Sequence, residues 1–265
     1  MNLRDEVERL RKDGYNEANA EARLCQDIVL EAISKSAFGH HATIKGGVVM
    51  RSLSQNVRRA TRDLDLDFLK YSVGEESVRL FVEKLNCLDG IALRMHNHVE
   101  ELNHQDYKGK RIVLEVSDEY NNILDLKVDI GVHKDLEIKQ EVYGFDVCFQ
   151  EDCASVLINS SAQMFVEKLK SLLRFGPRST RYKDVFDLYF LIDSIDRTVL
   201  KQCVDMYIFG DATLAVTSYD DIRERIGRTF DNVKYKKQVE ISKQNWLGLP
   251  MEDVFRKIYD YISEL

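Results

Sequence analysis

Apolar side chains along the first 36 residues recur at the spacing of a helix face. Leu3 and Leu10 belong to a short first set, and a longer set runs from Ala22 to Ile33, beyond Gly14. Apolar residues three and four positions apart share one face of a helix, and a glycine between two such sets interrupts it. The pattern therefore predicts a short helix followed by a longer one.

Between about residues 42 and 152 the apolar positions alternate or run together, as they do in half-buried strands. We predict strands at 64–69, 91–100, 110–118, 123–133 and 145–149. A helix is predicted at 78–88, and the tight turn EYNN at 119–122 predicts an antiparallel pair of strands on either side of it. The middle of the chain is therefore expected to be a mixed α/β layer around one sheet.

Beyond residue 155 nearly all of the pattern has helical spacing. The clearest segments are SSAQMFVEKLKSLLRF, YKDVFDLYFLIDSI and MEDVFRKIYDYI. The predicted fold class is α+β, with a mixed sheet flanked by helices and a C-terminal helical bundle. We place a boundary near residue 155, which gives an α/β domain with leading helices at 1–154 and a helical domain at 155–265.

Composition narrows the class of protein only slightly. A chain of 265 residues can form one large domain or two small ones, and a net charge of −7 gives no global indication of nucleic-acid binding. No segment approaches the ~20 consecutive apolar residues of a membrane helix, and the start MNLRDEVERLRKDG is charged where a signal peptide is apolar. We therefore expect a cytoplasmic protein with no membrane partner. The five scattered cysteines form no CxxC pair, so we expect free thiols.

Three aspartates, Asp63, Asp65 and Asp67, stand at two-residue spacing in RATRDLDLDFL. In a strand they share a face, where like charges repel and need compensation. One interpretation is a solvent-facing strand whose acids pair with the arginines just upstream, Arg58, Arg59 and Arg62. The other is a metal site, because the strand ILDLKVDIGV also carries carboxylates. If the two strands are neighbours, Asp63, Asp65 and Asp129 would converge on Mg²⁺ or Mn²⁺.

A glycine pair precedes the aspartates. Gly46 and Gly47 separate a short apolar run from the helix-capable VVMRSLSQ. Such a turn lets backbone N–H groups and a helix N-terminus approach a phosphate. Paired glycines also occur in ordinary turns, so the pair becomes informative only together with the acids that follow it.

The order of these motifs resembles that of the polymerase-β-type nucleotidyltransferase superfamily. Within it, the chain looks most like the AbiEii-like toxins of bacterial toxin–antitoxin and phage-defence systems. The matching features are the glycine pair, RxTxDhD at 59–65, a strand with one further aspartate, the lysine-bearing helix MFVEKLKSLL and the helix start in YKDVFDLYFL. The resemblance spans about residues 45–192 and implies a nucleotidyltransferase-type mixed sheet.

For the nucleotide, the resemblance implies that Gly46 and Gly47 seat the phosphates and that Arg59 and Thr61 also bind. Val48 follows the glycines where many relatives carry serine or threonine, so one hydroxyl contact to phosphate is missing. The spacing from the glycines to the first aspartate is also longer than in the simplest form of the motif.

For catalysis, the resemblance implies that Asp63 and Asp65 bind the metal ions. Asp129 would be a third metal-site acid and would activate the incoming hydroxyl. Asp67 falls outside the family pattern, and we interpret it as a surface residue or as a partner of the acids that bind metal.

The basic segment KLKSLLRFGPRSTRYKDVFDL supplies the remaining catalytic residues that the resemblance implies. Lys168 would contact the triphosphate, and Asp184 would complete the catalytic set by orienting Lys168 or Arg181. A charge run of this kind is also typical of a solvated helix face. Asp187, one turn after Asp184, is equally well explained as a salt-bridge partner.

Three further features bear on partners. His96, His98 and His104 are close in sequence, but no carboxylate or cysteine completes a zinc set, so we expect no zinc site. Trp246 is expected to anchor the last helix, with a base-stacking role as the alternative. The C-terminal third is locally basic, which is the best indication of an RNA acceptor. The residues concerned are Arg223, Arg225, Arg228, Lys234, Lys236, Lys237 and Lys243.

The sequence thus favours an enzyme: a Mg²⁺- or Mn²⁺-dependent nucleotidyltransferase that moves a nucleoside monophosphate from an NTP to an RNA hydroxyl. The resemblance implies the 3′ end of tRNA as a plausible acceptor, growth arrest as the consequence and an antitoxin protein as a possible partner. Two alternatives stay open. The acceptor would be a protein or a small molecule in one, and the chain would be a non-catalytic nucleotide-binding module in the other.

Overall fold

The computed structural model describes residues 1–96, 98–102, 109–133 and 137–265. Its internal contacts divide the chain into two compact units, Met1–Asn159 and Ser160–Leu265. Among the described residues, no helix has both the length and the apolar character that a membrane crossing requires.

The described residues of the first unit form four α-helices. They are α1 (Leu3–Lys12), α2 (Glu17–Lys35), α3 (Gly47–Ser54) and α4 (Glu75–Lys84). Asn2 and Asn16 cap α1 and α2 by accepting hydrogen bonds from backbone N–H groups of the first turn, as asparagine does at this position. The two leading helices predicted from the sequence are confirmed, and α4 begins three residues before the predicted segment at 78–88.

The first unit is built around one sheet of eight strands. They are β1 (Ala42–Lys45), β2 (Leu64–Leu69), β3 (Ile91–Met95), β4 (Glu100–Leu102), β5 (Gly109–Asp118), β6 (Ile123–His133), β7 (Glu141–Phe145) and β8 (Ala154–Ile158). The order across the sheet is β3-β5-β6-β2-β1-β8-β7, and β4 pairs with β5. The pairs β2/β6 and β1/β8 are parallel and the others are antiparallel, so the predicted mixed sheet is confirmed.

Side chains on alternate positions explain why β2 and β6 form as they do. Leu64, Leu66 and Phe68 of β2 are fully buried, and Val128 and Ile130 of β6 are buried beside them. The predicted bounds of both strands are confirmed, as is the antiparallel β5/β6 hairpin at the EYNN turn.

Other strand predictions were less accurate. The predicted strand 91–100 is two strands, β3 and β4. The predicted strand 145–149 was wrong because β7 ends at Phe145. Beyond it, the N–H of Cys148 donates to the Asp27 carboxylate at 2.9 Å instead of to a neighbouring strand. The apolar alternation at 145–149 therefore reflects burial without pairing. The short strand β8 was not predicted.

The second unit is helical, as predicted. It contains α5 (Ser161–Phe175), α6 (Tyr182–Leu191), α7 (Arg197–Val204), α8 (Tyr219–Asp231), α9 (Val233–Ile241) and α10 (Met251–Ser263). Its core includes a stack of the Phe230 and Phe255 rings, whose centroids are 4.0 Å apart. Gly176 follows α5 with φ of 51°, a conformation that glycine adopts at little cost, so the helix ends there.

Candidate active site

A row of charged residues crosses five neighbouring strands of the sheet. The register pairs Glu100 of β4 with Arg111 of β5, and Arg111 with Asp129 of β6. It then pairs Asp129 with Asp65 of β2, and Asp65 with Lys45 of β1. Residues paired across strands project from the same face of a sheet. Of the three aspartates predicted to converge, Asp65 and Asp129 are therefore direct cross-strand neighbours, with one basic residue on each side, whereas Asp63 lies one residue before β2.

Arg111 binds Asp129 through both arms of its guanidinium group. Nε lies 2.7 Å from Oδ1 of Asp129, and Nη2 lies 2.8 Å from Oδ2. The hydrogen bonding that Arg111 donates to Asp129 is the largest cause that raises the pKa of Arg111, and the nearby charges of Asp63 and Glu100 raise it further. The Asp129 side chain is 12% exposed and that of Arg111 is 35% exposed. This bidentate pair neutralises one of the two central acids.

Lys45 compensates a second acid on the same face. Its Nζ lies 2.7 Å from Oδ1 of Asp67, whose side chain is 7% exposed. The interpretation of Asp67 as a surface residue was wrong, because the residue is only 5% exposed; its role as a partner of the acids that bind metal stays a prediction. Lys45 reaches Asp67 from β1 and Arg111 reaches Asp129 from β5, and the pairing of the acids with the upstream arginines stays a prediction.

The glycine pair lies directly against the aspartate motif. A Cβ atom on Gly46 would meet Oδ2 of Asp65 at 2.5 Å, and a Cβ atom on Gly47 would meet Oγ1 of Thr61 at 2.6 Å. Gly46 also has φ of 68°, and α3 begins at Gly47. Glycine is therefore required at both positions by close approach. The two motifs that the sequence places 14 residues or more apart meet at the start of α3.

Gln26, a buried polar residue of α2, holds the segment that carries Thr61 and Asp63. Gln26 donates from Nε2 to the backbone oxygens of Thr61 at 3.1 Å and Asp63 at 3.3 Å, which holds the segment leading into β2. Arg59, at the end of a 3₁₀ turn, is 3% exposed. Of the residues assigned to the nucleotide, Arg59 is thus buried, whereas Thr61 is half-buried beside Gly47.

Asp27 of α2 joins three parts of the first unit. Its carboxylate is fully buried and accepts hydrogen bonds from Arg23 at 2.6 Å, Arg51 at 2.9 Å and the N–H of Cys148 at 2.9 Å. Burial lowers the pKa of Arg51 and outweighs the attraction of Asp27. Burial also acts on Arg23, but there the attraction of Asp27 prevails and the pKa is raised. Since Arg51 lies on α3, this cluster anchors α3 on α2.

In the second unit, Lys168 is committed to two carboxylates. Its Nζ lies 3.0 Å from Oδ1 of Asp184 and 2.7 Å from Oδ2 of Asp187. Arg181 is 4.0 Å from the Asp184 carboxylate and has a largely exposed side chain. The Lys168–Asp184 contact is consistent with the orienting role suggested for Asp184. The parts that Lys168, Arg181 and Asp184 play in catalysis stay predictions.

Asp187 and Trp246 form a structural pair. Asp187 is fully buried, and the indole Nε1 of Trp246 donates to its Oδ1 at 3.0 Å. Trp246 is 2% exposed and packs edge-on against Phe190, with centroids 5.5 Å apart. The anchoring role predicted for Trp246 agrees with this burial, which leaves no open ring face for a base to stack on.

The carboxylates on β2 and β6 are of the chemical type that binds a divalent cation, since Mg²⁺ and Mn²⁺ prefer oxygen ligands. Asp65 and Asp129 are neighbours on one face, and a guanidinium cation already binds one of them. Within the described part of the chain, no three histidine, cysteine or acidic side chains are grouped closely enough to hold a metal. Arg111 therefore competes with a cation for the oxygens of Asp129. His96 lies 3.3 Å from Asp125, and His104 falls outside the described residues.

Several of these residues were not identified from the sequence. Arg111, Lys45, Asp27 and Gln26 have no motif of their own. Arg111 alone had a usable signal: counting outward along both strands from the EYNN turn brings it opposite Asp129. The others depend on which elements become neighbours.

A mixed sheet with paired aspartates in register, against a glycine turn that opens a helix, is the arrangement of a nucleotidyltransferase. Comparison with family models agrees. The model described as "Nucleotidyl transferase AbiEii toxin, Type IV TA system" matches residues 28–249, and the chain belongs to this family. The resemblance predicted from the sequence is confirmed, and the protein is a nucleotidyltransferase of the toxin–antitoxin type.

Other comparisons add little. A crystal structure of an antigenic nucleotidyltransferase-like protein from Paracoccidioides brasiliensis is similar at 13% identity, over 77% of this chain and 92% of that one, with a TM-score of 0.43. A comparison with curated proteins gives no significant match.

Proposed function

We propose that this protein transfers a nucleoside monophosphate from an NTP to a hydroxyl group of RNA, in a reaction that depends on Mg²⁺ or Mn²⁺. A bond forms between the acceptor oxygen and the α-phosphorus. The bond between the α-phosphorus and the oxygen that links it to the β-phosphorus breaks, and pyrophosphate leaves. The observation that carries the proposal is the cross-strand pairing of Asp65 with Asp129 beside the Gly46-Gly47 turn. Family membership supplies the reaction class.

Each residue of the first unit has a defined task in this proposal. The N–H groups at the start of α3 bind the NTP phosphates, because the positive end of a helix favours negative charge. Asp63, Asp65 and Asp129 would hold the divalent cation, which would neutralise charge on the phosphates and on the leaving pyrophosphate. Asp129 accepts the proton of the incoming hydroxyl. Thr61, beside Gly47, and Arg59 complete the proposed nucleotide-binding residues of this unit.

The proposed RNA acceptor has its support in the second unit. Three of its basic residues already have partners. Arg223 and Arg228 form ion pairs with Asp220 and Glu224, and Arg225 donates hydrogen bonds to backbone oxygens. The lysines Lys234, Lys237 and Lys243 are exposed. Exposed lysines attract phosphates without reading sequence. We propose the 3′ end of tRNA as the acceptor, an antitoxin as the protein partner and the cytoplasm as the location.

The test is label transfer from each NTP carrying radioactive α-phosphate. Total RNA, a protein extract and small hydroxyl compounds serve as parallel acceptors, with Mg²⁺ or with EDTA. Label should enter RNA, and only with metal. Label that enters only protein or a small molecule would overturn the RNA acceptor, and no transfer to any acceptor would favour a nucleotide-binding module.

Matched variants test the site itself. Asp65→Asn should reduce transfer on the order of 100-fold, the loss typical when a charge contact to the transition state is removed. Asp125→Asn is the control, because Asp125 lies on β6 with a side chain that is 60% exposed. Equal activity of the two variants would contradict the assignment. Lys168→Ala and Asp184→Asn, assayed in parallel, test the predicted contribution of the second unit.

A further inference from the structure

Arg111 stands between two carboxylates on the sheet. Asp129 lies opposite it on β6, and Glu100 lies opposite it on β4. Both arms of its guanidinium bind Asp129, whereas Glu100 acts on it as a nearby charge. Glu100 is exposed, and the Arg111 side chain is about a third exposed. A change of partner from Asp129 to Glu100 therefore requires only side-chain rotation at a solvent-accessible edge.

The bidentate ion pair with Arg111 competes with the roles proposed for Asp129, which are to bind the metal ion and to accept a proton. A carboxylate whose two oxygens accept hydrogen bonds from a guanidinium has lost much of its capacity to hold a metal ion or accept a proton. Arg111 also repels a cation that approaches Asp65, because Asp65 and Asp129 are cross-strand neighbours. Arg111 thus neutralises the charge of Asp129 without a metal ion.

We propose that Arg111 is a two-position counter-ion, which binds Asp129 in the nucleotide-free protein and moves to Glu100 when a divalent cation enters. Arg111 thereby weakens metal binding by the free enzyme, and Glu100 lowers the cost of releasing Asp129. The inference rests on the proposed function, since it takes Asp65 and Asp129 as the acids that hold the cation. No covalent bond changes in this step.

The direct test is the affinity of nucleotide-free protein for Mn²⁺, measured by calorimetry or by the loss of the free-ion electron paramagnetic resonance signal. Arg111→Gln should bind Mn²⁺ about tenfold more tightly than the wild type, because a charge-assisted bidentate pair no longer competes. Glu100→Gln should bind several-fold more weakly. The double variant should behave like Arg111→Gln, because Glu100 acts through Arg111.

A neighbouring residue provides the control for charge. Lys110, next to Arg111 on β5, forms an ion pair with Glu101 at 2.8 Å. Lys110→Gln removes the same charge from the same strand and should change Mn²⁺ affinity by less than about twofold. Arg111→Lys keeps the positive charge but loses the two-armed guanidinium group, so its Mn²⁺ affinity should lie between those of the wild type and Arg111→Gln. It also tests the proposal if the glutamine variant does not fold.

The Asp65→Asn variant separates this inference from the proposed function. If Asp65→Asn abolishes Mn²⁺ binding while Arg111→Gln and Arg111→Lys bind like the wild type, Arg111 is not a competitor and the inference is wrong, but the metal site stands. If Asp65→Asn leaves Mn²⁺ binding unchanged, the metal site and the inference both fail. If Lys110→Gln changes Mn²⁺ affinity as much as Arg111→Gln does, net charge alone explains the effect and the two-position model is wrong.

Discussion

Replacing Asp27 with alanine should destabilise the first unit by about 3–5 kcal/mol, the cost of removing one partner from a buried ion pair. The Asp27 side chain is fully buried, and its partners Arg23 and Arg51 are 16% and 2% exposed. Alanine would leave the Arg51 guanidinium in a low-dielectric interior without this carboxylate. Among the described residues, Nε and Nη1 of Arg51 already have no hydrogen-bond partner. The effect is large beside a typical total stability of about 5–15 kcal/mol.

An exposed pair of the same geometry provides the comparison. Arg79 and Glu75 are also four residues apart on one helix, with N and O atoms 2.7 Å apart against 2.6 Å for Arg23 and Asp27. Their side chains are 50% and 59% exposed. Exposed pairs contribute about 0–1 kcal/mol, so Glu75→Ala should have little effect. The two variants differ in burial and in the partners lost, since Asp27 also accepts hydrogen bonds from Arg51 and from the N–H of Cys148.

Urea unfolding followed by far-ultraviolet circular dichroism measures the loss of stability in both variants. Fluorescence is less suitable, because the single tryptophan, Trp246, lies in the second unit, whereas Asp27 and Glu75 lie in the first. The double variant Asp27→Ala/Arg51→Met should recover most of the loss, since an apolar replacement of a whole buried pair is often tolerated. The reasoning would be refuted if Asp27→Ala cost no more than Glu75→Ala. It would also be refuted if the double variant were less stable than Asp27→Ala.

Three further predictions follow from packing and burial. Gly47→Ala should lower the melting temperature, with a loss of about 1–3 kcal/mol from the clash with Thr61, whereas Gly39→Ala, with its nearest atom at 3.5 Å, should not. Trp246→Phe should cost about 1–3 kcal/mol in urea unfolding, because the buried Asp187 loses the hydrogen bond from the indole; no loss would contradict that bond. Tyr235→Phe should be neutral or stabilising, since the buried hydroxyl has no partner among the described residues. Burial raises the pKa of Tyr235, so the unfolded chain ionises first. The wild type should therefore lose stability relative to Tyr235→Phe as the pH rises through about 10, and equal pH profiles would contradict this.

Much of the fold could be predicted because the relevant signals are local. Alternating apolar residues gave β2 and β6, the EYNN turn gave the β5/β6 hairpin, and helical spacing gave the second unit. The failure at 145–149 has the same origin, since alternation reports burial and not pairing. Cys148 is held by a side chain from a helix more than a hundred residues away, which no local pattern encodes.

For the candidate site, the sequence by itself indicated the acids and the glycines: two-residue spacing places Asp65 and Asp67 of β2 on one face, and a glycine pair marks a close approach. Only the tertiary structure decided which residues surround them. Insertion of β2 between β1 and β6 brings Lys45 to one side and Asp129 to the other, and Arg111 arrives through β5. Charge compensation acts through space between strands distant in the chain, so its partners follow from strand order.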